Sequence, residues 1–153
     1  MEKILDQWQY KTCANHALCT ILQHQWVEYD WSSILYVSAP YIPQLEKLFK
    51  ERGLIDKFVS LPTPRLVDLW LKKWEYILCA TFRWDFTLND NKDWVIEFDE
   101  KSQHYVAIVE DCWDKWKCQN SWGESWGDKW YWYIKKSDFK YLLTPRRVIL
   151  KTK

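Results

Sequence analysis

Asn120-Ser121-Trp122-Gly123-Glu124-Ser125-Trp126-Gly127 sets an amide side chain just ahead of two Trp-Gly pairs, and the residues leading into it have the period of a β-strand. In Gln103-His104-Tyr105-Val106-Ala107-Ile108-Val109, the side chains of Tyr105, Ala107 and Val109 alternate with those of Val106 and Ile108. Farther out, YILCATFRW (76–84) is rich in β-branched and aromatic residues, and KWYWYIKK (129–136) and RRVILK (146–151) complete a strand-rich second half. The turn signals LNDNKD (88–93) and KSDFK (136–140) favour antiparallel pairing over crossover connections.

The first half has a different period. In TCANHALCTILQHQWV (12–27), Ala14, Ala17, Leu18, Ile21, Leu22 and Val27 fall close to a helical repeat, with Thr12 as N-cap and Cys13 as the first helical residue. A short helix is expected after Ser32, another entered at Pro43 and stopped at Gly53, and a third after Pro64 in RLVDLWLKKW. Helices first and strands second make an α+β chain. No repeat, low-complexity run or Gly/Ser linker divides it, so residues 1–153 are read as one domain, helical to about residue 74 and strand-rich from about 75.

Composition excludes several functions. The chain has 153 residues, enough to bury roughly 70% of its unfolded surface. Its formal charge is +1 and its charges are dispersed, so neither a nucleic acid nor an anionic membrane is an expected partner. No apolar run approaches the ~20 residues of a membrane span, and MEKILDQWQYK lacks the form of a signal peptide. Cys13, Cys19, Cys79, Cys112 and Cys118 are odd in number and scattered, unlike a disulfide framework. A cytoplasmic, monomeric protein is expected. Cys112 and Cys118 have no second Cys or His pair at zinc spacing, so no metal or other cofactor is expected either.

Among the groups that could do chemistry, Cys13 stands out by position. Unpaired N–H groups and the dipole at a helix start stabilise a thiolate. His16, one turn on, either approaches the thiol, packs beneath it or faces solvent, and His24 belongs to surface or core. Spacing alone leaves Cys13 far more readily a small core residue than a nucleophile.

The wording around it is more specific. Asp6-Gln7-Trp8-Gln9-Tyr10-Lys11-Thr12-Cys13-Ala14-Asn15-His16-Ala17 resembles the active-site segment of papain-like cysteine peptidases, in which a D-Q-G element precedes the nucleophile and its Gln stands six residues before the Cys, as Gln7 does here. Gln103–Val109 is similar to the family's histidine strand, and Asn120–Gly127 to its N-S-W-G-x-x-W-G signature, in the family's order. The resemblance spans nearly the whole chain. It implies a short, bacterial-type variant of the papain-like fold, a helical half packed against an antiparallel sheet or barrel-like half with the active site in the cleft between them. It also implies a peptidase acting on a peptide or unfolded protein substrate. Cys13 would be the nucleophile, His104 its base, Asn120 the group orienting His104, and Gln7 with the Cys13 backbone N–H the oxyanion hole, with Trp122 shielding the Asn120–His104 contact. The same machinery would serve an exopeptidase or another thiol acyl-transfer enzyme. The alternative is a catalytically impaired relative that binds peptides or a protein partner.

The departures from the family pattern are informative. Tyr10 stands where secreted members have a disulfide-bonded Cys, and Ala14 where many have Trp. Trp8 stands in place of the glycine of D-Q-G, and Trp130 where a glycine usually precedes an aromatic strand. The chain has 3 Gly and 13 Trp, where a usual domain of this length has about 11 and 2. One cause would account for both numbers, a UGA codon meaning glycine but translated as tryptophan. Trp26, Trp74 and Trp113 are further candidates, whereas Trp122 and Trp126 match tryptophans of the family. A true Trp8 would partly fill the cleft beside Gln7.

Overall fold

A computed structural model describes residues 13–39, 41–81, 104–119 and 131–152. Helix α1 (Cys13–His24) is followed by a 3-10 turn (Trp31–Ser33), α2 (Ile42–Glu51), β1 (Ile55–Ser60), α3 (Pro64–Lys72) and β2 (Ile77–Thr81). Next come β3 (His104–Asp111), β4 (Lys115–Gln119), β5 (Tyr131–Lys135), a 3-10 segment (Lys136–Tyr141) and β6 (Leu142–Leu150). The fold is α+β, built on a six-stranded antiparallel sheet in the order β1-β6-β2-β3-β4-β5.

Local chemistry sets the helix boundaries. α1 runs from Cys13, the first described residue, and Thr12, its expected N-cap, lies outside the described residues. Tyr41 in extended conformation and Pro43 in the first turn open α2, and Gly53, at φ 72°, ends it. Thr63 caps α3, its hydroxyl accepting from the Leu66 N–H at 3.3 Å, with Pro64 as the first helical residue.

The sheet is covered on both faces. On one, Leu78 and Ala80 of β2 and Tyr105 and Ala107 of β3 pack with Ala14, Ala17, Leu18, Ile21 and Leu22 of α1 and Leu45 and Phe49 of α2. On the other, Ile77 and Cys79, Val106 and Ile108 pack with Val67 of α3, Trp116, Cys118 and Ile134. The alternation read in β3 is therefore the alternation between two cores. Each fully buried aliphatic side chain contributes about 1.5–3 kcal/mol relative to exposure. Polar contacts tie the second core to the surface: the Trp116 indole N–H donates to Asp68 at 2.8 Å, and Lys136 bridges Asp68 and Asp111.

Two expectations need correction. The first half is not purely helical, because β1 lies between α2 and α3 and pairs with β6 from the far end of the chain. The last strand starts not at Arg146 but at Leu142 and runs through Pro145, whose carbonyl accepts from the Leu61 N–H at 2.8 Å. Pro145 is tolerated because the β2–β6 register shifts between Leu78 and Ala80, so no ladder bond is demanded of its missing N–H.

Candidate active site

Cys13 is the first residue of α1, half-buried where the helix meets the sheet. Two residues on, Asn15 is buried, and its amide donates to the carbonyls of Ile34 and Val37, each at 2.8 Å. This side chain fastens the first turn of α1 to the segment after the 3-10 turn. His16 is fully buried beneath the first turn, its ring edge-on to Tyr36 at 5.7 Å. Of the three positions open to it from sequence, the solvent-facing one is ruled out. His24 stacks on Tyr76, with ring centroids 3.5 Å apart, and its Nε2 bonds the Trp74 carbonyl at 2.8 Å.

The thiol of Cys13 meets the sheet at the head of β3. Burial pushes it up from the ordinary thiol range, while backbone hydrogen bonds from Tyr105, Ala14 and Cys13 itself pull the other way. The helix start thus supplies the donors that its position predicts, but dehydration outweighs them. The Tyr105 phenol is pushed up to about 12, chiefly by burial and then by the neighbouring Cys13, with Arg146 opposing.

Tyr105 directly follows His104, the first residue of β3, whose backbone pairs with Thr81 of β2. The strand register brings a third segment to the same end of the sheet. β4 runs antiparallel to β3 with Gln119 opposite Ala107, so the end of β4 lies beside the first half of β3. The structure therefore brings together Cys13, the backbone of His104 and the end of β4. Gln7, Asn120 and Trp122 lie outside the described residues. Asn15 and Tyr105 were not singled out as site residues by sequence. The only signals were their neighbours, Cys13 for Asn15 and His104 for Tyr105.

A thiol held at a helix start against a strand headed by histidine is an arrangement suited to nucleophilic chemistry. No family model and no curated protein matches the chain. Solved structures do. Xylellain, a cysteine protease from Xylella fastidiosa, is similar with a TM-score of 0.69 and 12% identity, over 97% of this chain and 82% of its own. The clostridial cysteine protease Cwp84 is similar with a TM-score of 0.69 and 14% identity, over 97% of this chain and 54% of its own. This is the papain-like fold.

Proposed function

We propose that the chain is a cysteine-type peptidase that hydrolyses peptide bonds with Cys13 as nucleophile and His104 as its base. One observation carries the reading: on a fold shared with two cysteine proteases, Cys13 at the start of α1 packs against the head of β3, where Tyr105 follows His104. His104 as imidazolium supplies the positive charge that a buried thiolate needs. Asn120 accepts from the far ring nitrogen and fixes the ring. The thiolate sulfur attacks the scissile carbonyl, and the oxyanion is held by the Gln7 amide and the Cys13 backbone N–H. Collapse breaks the C–N bond as His104 protonates the leaving amine. His104 then takes a proton from water, hydroxide adds to the thioester, and the acid leaves as the thiolate returns. Trp122 keeps water from the Asn120–His104 contact.

The raised Cys13 thiol favours a second reading, a relative that keeps the cleft and binds peptides without cleaving them. Incubation with an unfolded protein distinguishes the two, using the chain as given and its Trp8→Gly/Trp130→Gly form. Internal cleavage abolished by Cys13→Ala establishes an endopeptidase, and release of single terminal residues an exopeptidase. Substrate that is bound but intact in both forms overturns the peptidase reading.

A further inference from the structure

Among the described residues, the non-glycine residues with positive φ are Trp26 at 63°, Trp74 at 65° and Trp113 at 75°. All three are tryptophan. This left-handed region costs a residue with a Cβ, and an indole has no offsetting reason to adopt it. Nor does packing supply one, because the three are 92%, 82% and 91% exposed.

The first two sit at the same place in the same motif. At the end of α1, the Trp26 N–H donates to Gln23 O and the Val27 N–H to Leu22 O; at the end of α3, the Trp74 N–H donates to Leu71 O and the Glu75 N–H to Trp70 O. α2 ends with the identical pair, Gly53 N–H to Lys50 O and Leu54 N–H to Phe49 O, and its pivot is a glycine with φ 72°. This is the Schellman C-cap, whose left-handed residue is usually glycine. A Cβ at Gly53 would meet nothing nearer than Lys151 Nζ at 4.0 Å, so conformation rather than space calls for glycine there. Trp113 lies in the short loop between β3 and β4, where its backbone N–H donates to Asp111 Oδ1 at 3.0 Å. Three-residue hairpin loops likewise favour glycine at their left-handed position.

Other tryptophans of the chain behave as indoles should. Trp116 is fully buried with its N–H on Asp68, and Trp70 carries the Arg147 guanidinium over its ring at 3.3 Å. By contrast, the hydrogen bonds made by Trp26, Trp74 and Trp113 run through the backbone and would survive loss of the side chain.

We propose that positions 26, 74 and 113 are glycine in the protein as its own cell makes it, encoded by UGA codons that the source organism reads as glycine, and that positions 8 and 130 belong to the same set. The chain would then hold its D-Q-G element intact before Cys13. Exposed indoles could also be read as a docking surface. That reading leaves three left-handed backbones, two of them at helix C-caps, unexplained.

The gene gives the direct test. UGA at codons 8, 26, 74, 113 and 130, with UGG at 70, 116, 122 and 126, is the expected result, and UGG at 26, 74 or 113 overturns the proposal. The protein gives an independent one. Trp26→Gly, Trp74→Gly and Trp113→Gly should each raise the melting temperature, by about 2–4 °C for a chain of this size. Trp26→Ala and Trp74→Ala should not, because alanine keeps the Cβ, and Trp116→Gly should lower it steeply. A rise as large with alanine as with glycine would mean that indole exposure, not conformation, is being relieved, and would sink the proposal.

Discussion

Asn15→Ala tests how the start of α1 is held. The wild-type amide satisfies two carbonyls, that of Ile34 in a buried setting and that of Val37 in a partly buried one, both at 2.8 Å. Truncation leaves both acceptors without this donor. A buried acceptor deprived of its donor costs about 1–3 kcal/mol, and the Val37 carbonyl, which water can reach more easily, sits at the low end of that range. The sum is about 2–4 kcal/mol, a large fraction of the stability of a domain this size, and should lower the melting temperature by roughly 5–15 °C. Urea titration followed by tryptophan fluorescence measures it directly, and the slope with denaturant should be unchanged because the surface exposed on unfolding hardly alters. Asn15→Asp should cost more, since a carboxylate would face two carbonyl oxygens. A loss below about 0.5 kcal/mol for Asn15→Ala would mean that the 34–37 segment does not depend on this anchor.

Three further outcomes follow from the same structure. Burial pushes the thiols of Cys19, Cys79 and Cys118 up, so the folded chain keeps protons that the unfolded chain loses above about pH 8.5. Stability should therefore be level below that pH and fall above it, by about 1.4 kcal/mol per pH unit for each thiol; a flat urea midpoint from pH 7.5 to 10 would contradict this. Glu75→Ala removes the partner of Arg147, with which it forms a two-bond fork at 2.9 and 2.7 Å, and should cost about 1–3 kcal/mol in the same titration. Thr63→Ala should cost about 1 kcal/mol through loss of the α3 cap, and Thr63→Ser should restore most of it.

What the sequence revealed was local. The start of α3 and the stop of α2 depend on residues within a turn of each boundary, and the two faces of β3 depend on a period of two; all were readable. β1 was missed because IDKFVS has no clean alternation: its burial pattern leaves Asp56 and Lys57 exposed on an edge strand. Only pairing with β6, 95 positions away at Ile55–Leu150, makes it a strand. β4 was missed for brevity, although Lys115 and Lys117 do alternate with the buried Trp116 and Cys118. Pro145 hid the first half of β6 behind an ordinary breaker signal.

The site divides in the same way. The place of Cys13 in the first turn of a helix and of His104 at the head of a strand was legible in local periodicity, whereas their chemical roles were read from the resemblance alone. The grip of Asn15 on Ile34 and Val37, and the contact of the Tyr105 backbone with the thiol, arise only when α1 docks on the sheet, and no periodicity encodes them. The balance of effects on the Cys13 thiol was also out of reach. A helix start argues for a low pKa, and the depth of burial that opposes it is a property of the folded chain.

Selective alkylation shows whether Cys13 works as a thiolate made by His104. At pH 6 an ordinary thiol is almost wholly protonated and slow to react. Rapid modification should be confined to Cys13 by peptide mapping and lost in His104→Ala, while the other four cysteines are unchanged. Equally slow modification of all five, in the chain as given and in its Trp8→Gly/Trp130→Gly form, would contradict it.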